Sequence, residues 1–93
     1  MWKNVIREPG PKQGGEVNFT LIYAPSAKIA YHHSVDLGLR PNEWTYVQTG
    51  DAMRGYMGVD VHIIGRETDV PRDVLAAANF IEIFGGAVTR WPV

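Results

Sequence analysis

The residues able to do chemistry are few, and their spacing decides what they can do. The three histidines are His32, His33 and His62. Zinc-binding helices present histidines at i and i+4. His32 and His33 are adjacent and point about 100° apart on a helix, so the pair does not converge on one metal. Asp60 and His62 alternate with Val59, Val61 and Ile63 and read as polar positions on one face of a strand. The absence of cysteine excludes disulfides, thiolate metal sites and a cysteine nucleophile. Ser26 and Ser34 are the only serines, and neither lies in a G-x-S-x-G elbow. A chain of 93 residues leaves little room for a substrate pocket of roughly 300–1,000 Å3. These residues predict a domain that is not an enzyme, with no catalytic residue, no metal and no cofactor.

A second group has the chemistry to hold an anion. Ser26 stands where a helix would begin, and backbone N–H groups at a helix start attract negative charge. Lys28 adds a cation. Thr49, Gly50 and Asp51 form a loop, Arg54 follows it, and Arg66 opens a polar stretch with Glu67 and Asp69. Together they suggest a nucleotide- or phosphate-ligand site. The phosphate-cradling patterns G-x-x-x-x-G-K-[ST] and G-x-G-x-x-G are both absent. The charges on these loops alternate in sign, so pairing among Asp51, Arg54, Arg66, Glu67, Asp69 and Arg72 competes with ligand binding.

The charge balance narrows the partners. Nine basic and ten acidic residues leave a net charge of −1, whereas nucleic-acid modules carry a basic face. A nucleic-acid role would rest on Arg54, Arg66 and Arg72 alone. No apolar run approaches the ~20 residues that span a bilayer, and no apolar stretch precedes Pro9-Gly10-Pro11 to make a signal peptide. The expectation is a cytoplasmic protein without membrane contact.

These side chains are positioned by alternating strands and helices. Residues 1–15 read as an edge strand followed by a Pro/Gly-rich lead-in, and residues 16–93 as one α/β domain. Val17 to Ala24 is β-rich and apolar on both faces in its second half, as in a central parallel strand. Ser26 caps a helix running to about Leu37, with Ile29, Ala30, His33 and Leu37 as its inner face and Gly38 as its stop. Trp44 to Val47 is a second strand, and Asp51 caps a short helical turn through Met53. Val59 to Gly65 is a third strand. A longer helix follows from Pro71 to Phe84, ended by Gly85-Gly86, and Ala87 to Trp91 is the last strand. Right-handed crossovers then give a small three-layer α/β domain with about four mainly parallel strands in the order 2-1-3-4. One face carries the first helix, and the other carries the longer helix and the short turn. Ile22, Ile63 and Ile81 belong to the core. Ligands in such sheets bind beyond the carboxyl ends of the strands, where the strand order reverses.

The longer helix has more apolar surface than one sheet face can cover. Val74, Ala77, Ala78, Ile81 and Phe84 form a wide inner stripe, and Leu75, Phe80 and Ile83 lie off it. Ten aromatic residues, three Trp, four Tyr and three Phe, exceed what a small core can hold. The surplus predicts an interaction surface at Leu75, Phe80 and Ile83 for a homodimer or a protein partner.

The stretch from Val17 to Trp91 resembles small Rossmann-like proteins encoded by actinobacterial phages. The carrying pattern is Leu21-Ile22-Tyr23-Ala24 leading into Ser26-Ala27-Lys28, then Glu43-Trp44-Thr45-Tyr46-Val47, then Met53-Arg54-Gly55-Tyr56 before Val59 to Gly65. The resemblance implies an accessory protein that binds host machinery in the host cytoplasm, with no set of functional residues to transfer. Arg54-Gly55 before a strand is also similar to a step in the second lobe of RecA-like helicases. The phosphate-binding lobe of those motors has no counterpart, so motor activity does not follow.

Overall fold

The structure, a computed structural model, describes residues 19–92. The edge strand or lead-in expected over residues 1–15 lies outside the described residues. The chain forms β1 (Thr20–Tyr23), α1 (Ala27–Asp36), β2 (Trp44–Val47), α2 (Gly50–Met53), β3 (Asp60–Ile64), α3 (Arg72–Ile83) and β4 (Ala87–Trp91), with 3-10 turns at Pro41–Glu43 and Glu67–Asp69. The four strands make one parallel sheet in the order β2-β1-β3-β4. This is the α/β architecture and strand order that the alternation of elements predicts. No helix among the described residues is long and apolar enough to cross a membrane.

Leu21 and Ile22, neighbours in β1, are both fully buried because the strand is covered on both faces. On one side Leu21, Val61 and Ile63 pack with Met53 of α2 and with Val74, Ala78 and Ile81 of α3. On the other, Ile22 and Ile64 pack with Ala30 of α1. Ile22, Ile63 and Ile81 are core residues, as their pattern requires. The edge strand β4 is the least covered, and only Val88 within it is half-buried.

The helices begin and end by local chemistry. Ser26 accepts a hydrogen bond from the Ile29 N–H at 3.3 Å and caps α1. The other end closes at Gly38 (φ +75°), whose N–H reaches the Val35 carbonyl while Leu39 reaches that of Ser34. α3 ends the same way at Gly85 (φ +99°), with Gly85 donating to Glu82 and Gly86 to Ile81. Both are the paired-bond ending that a left-handed residue permits.

Two helix faces differ from expectation. The buried residues of α1 are Ala30 and Ser34, while Ile29 and Leu37 are about two-fifths exposed (42% and 37%). Two small residues at i and i+4 put the least bulk between helix and sheet, and the Ser34 hydroxyl is satisfied by the Tyr31 carbonyl at 2.6 Å. In α3, Phe84 is not on the inner stripe. It is the C-cap residue, where the helix has already turned toward Gly85, and half of it is exposed. Leu75 is not surplus either, because it is half-buried against the core.

Candidate functional site

Three loops meet the carboxyl ends of the strands, but the candidate anion site is divided among separate places. At the ends of β1 and β3, Arg66 lines a cavity of about 260 Å3 with Tyr23, Pro25, Gly65 and Asp69. Ser26 and Lys28 are not among the lining residues. Burial, with Tyr46, Asp69 and Asp73 adding to it, raises the Tyr23 phenol above its ordinary range.

The loop before α2 is committed to its own structure. Thr49, not Asp51, caps this turn, accepting from the Ala52 N–H at 3.2 Å. The Gly50 N–H donates to Oδ2 of Asp73 on α3 at 2.8 Å. The Asp73 carboxylate thus sits where an anionic ligand would be held. Asp51 lies at the surface and pairs with Arg54 at 3.4 Å, with both side chains more than four-fifths exposed. Such a pair contributes less than about 1 kcal/mol.

The Gly50–Asp73 bond also ties α2 to α3. A Cβ on Gly50 would run into the Asp73 backbone, so glycine is what allows this approach. Residues of both helices line a groove of about 390 Å3, which falls within the pocket range that the chain length argued against. Small residues (Gly50, Gly55, Ala76 and Ala77) form much of its lining, Asp51 and Arg54 stand on one side, and Phe80 on the other. Three candidate ligand-binding residues, Gly50, Asp51 and Arg54, therefore share one groove with Phe80, a candidate interaction residue.

Beside the groove, Phe80, Ile83 and Phe84 are 56%, 67% and 50% exposed. The Phe80 and Phe84 rings touch, with centroids 4.6 Å apart. Phe80 and Ile83 thus lie where the helical pattern put them, and Phe84 replaces Leu75 as the third apolar group.

A second cluster lies on the α1 side of the sheet. His33, His62 and Trp91 are brought together from α1, β3 and β4, with His33 Nε2 3.2 Å from His62 Nδ1 and the Trp91 indole Nε1 2.8 Å from the same atom. Burial lowers the pKa of both imidazoles; Asp36 offsets it at His33, and at His62 the His33 ring adds to it while Asp60 offsets it. Among the described residues, no three histidine or carboxylate side chains gather as metal ligands. The alternation of Asp60 and His62 signalled a polar sheet face, but only the register of β4 beside β3 brings Trp91 to it.

Comparison with protein-family models, with curated proteins and with solved structures finds no match to this chain.

Proposed function

We propose that this domain is a non-enzymatic interaction module, that its working surface is the α2–α3 groove with the apolar ridge beside it, and that a second copy of the chain occupies that surface. The observation that carries this reading is the exposure of Phe80, Ile83 and Phe84 at the edge of a groove that Phe80 lines together with Gly50, Gly55, Ala76 and Ala77. The three side chains present on the order of 300 Å2 of apolar surface per copy, taking ~150–250 Å2 for a whole aromatic side chain. Two copies with their rims reach only the lower end of specific interfaces, below about 1,200 Å2, which predicts a weak, micromolar dimer.

The helix is complementary to itself. Arg72, Ala76, Phe80 and Phe84 follow one another at four-residue spacing and form one stripe. Two antiparallel copies of α3 related by a two-fold axis set Phe80 of one against Ala76 of the other, so a large side chain meets a small one. Arg72 of one copy then meets Phe84 at the carboxyl end of the other helix, whose last turn has no basic residue of its own. A cation there is favourable.

The nucleotide or phosphate reading has less support. Two donors at the start of α2, the Gly50 and Ala52 N–H groups, are already engaged by Asp73 and Thr49, and Ser26 caps α1. A host protein in a host cytoplasm, which the phage resemblance implies, is the other occupant of the groove.

Sedimentation velocity over a dilution series tests the proposal. The wild type should gain mass with concentration in the micromolar range. Phe80→Glu should stay monomeric with an unchanged circular dichroism spectrum, because the side chain lies outside the core. A strict monomer at high micromolar concentration, or mass gain that survives Phe80→Glu, would contradict self-association through this face.

A further inference from the structure

The His33–His62–Trp91 cluster lies on the sheet face opposite the groove, and self-association through α3 makes no use of it. Its rings are close: His33 and Trp91 meet edge to face at 4.8 Å, His33 and His62 at 5.2 Å, and His62 stacks with Trp91 at 5.9 Å. An indole N–H can only donate. His62 Nδ1, 2.8 Å from it, must therefore present a lone pair, and the proton of neutral His62 resides on Nε2. With that nitrogen bare, the 3.2 Å approach of His33 Nε2 is a hydrogen bond only in the His33 tautomer that carries its proton on Nε2, the two donors then sharing one lone pair.

We infer that His62 is a proton-operated latch: with Nδ1 bare it holds the Trp91 side chain against the α1 side of the sheet, and with Nδ1 protonated it releases that side chain. A proton on Nδ1 faces the indole N–H donor to donor. His33 can respond by moving its own proton to Nδ1 and accepting at Nε2. The Trp91 N–H has no such alternative and loses the acceptor that His62 Nδ1 provides. The strand it ends is poorly covered, so the release costs little packing. The Gly65 N–H still holds the Trp91 carbonyl at 3.0 Å, which confines the change to the side chain.

The groups facing the latch set its direction. On α1, Asp36 favours a charged His33, and on β3, Asp60 favours a charged His62. His33 opposes the charge on His62, and burial, the largest influence on both rings, opposes both charges. β1 presents Thr20 and Ile22 to this face, and β4 presents Ala87 and Thr89 beside Trp91, none of them charged at these pH values. With folded pKa values below the ordinary 6.5, the unfolded chain binds more protons than the fold just below that pH. The contribution of the cluster to stability is then complete above 6.5 and is lost as pH falls through the lowered values.

The test is a pH titration by 1H–15N NMR, with the Trp91 indole signal identified by its loss in Trp91→Phe. Near neutral pH, His62 should show the Nε2–H tautomer and the indole proton should be shifted downfield and slow to exchange. Both signatures should be lost with one midpoint below 6.5, while the Val61 and Ile63 amides stay in place. His62→Asn keeps an acceptor near the position of Nδ1 without a titrating group, so its indole signal should persist through that range. The latch is overturned by an Nδ1–H tautomer in the wild type, by an indole signal indifferent to the His62 titration, by release unchanged in His62→Asn, or by simultaneous loss of the core amides. The wild-type tautomer decides the matter even if the variant does not fold.

Discussion

Gly50 carries more of this structure than its size suggests. Its N–H holds Asp73, and its missing Cβ lets α2 lie against the first turn of α3. Gly50→Ala must push the helices apart, which should destabilise the domain by about 1–3 kcal/mol. Asp73→Asn keeps an acceptor for the same N–H and should cost less. Urea unfolding midpoints of the two variants check the order, and equal costs would mean that the close approach is not the constraint. At this scale the sequence was only partly readable. Ser26 was recognisable as a cap because the chain following it has helical spacing. Thr49 and Asp51 are both good caps two residues apart, and only the location of Asp73 explains why the earlier one is used: the Gly50 N–H bonded to Asp73 fixes where the turn starts. The partners of His62 were likewise invisible, because they come from 29 residues away on either side.

Among the elements, periodicity was a good guide to order and a weaker one to faces. Leu21-Ile22 in β1 announced a strand buried on both sides, and Gly38 and Gly85-Gly86 marked the helix ends. The helix faces were harder, because apolar residues surround both helices and packing chooses among them. In α1 the small pair Ala30 and Ser34 turns inward at the expense of Ile29 and Leu37. In α3 the helix ends before Phe84 can continue the inner stripe, whereas Leu75 is drawn down onto the core. These placements give a graded prediction. Ile63→Ala empties a fully buried site in the central sheet and should cost about 2–5 kcal/mol. Leu75→Ala removes a half-buried group and should cost roughly 1–2 kcal/mol. Phe80→Ala should change monomer stability by less than about 1 kcal/mol, as surface substitutions do. Chemical denaturation at concentrations too low for association reads all three. A Phe80→Ala cost equal to that of Ile63→Ala would place Phe80 in the core.

At the scale of the whole molecule, both faces of one sheet are built from the same plan and left unequally finished. The α2–α3 side buries the larger cluster and still leaves an apolar ridge in solvent beside a groove. The α1 side has a single main helix over β1 and β2 and a ring of aromatic and imidazole groups toward the edge strand. In the proposed dimer, the ridge of one copy fills the groove of another. An isotope-filtered NOE experiment on a mixture of labelled and unlabelled chains, at high micromolar concentration, tests that contact atom by atom. Intermolecular cross-peaks should run from the Phe80 ring to the Ala76 and Ala77 methyl groups and be absent in Phe80→Glu. Intermolecular cross-peaks confined to β4, or none at all at that concentration, would contradict it.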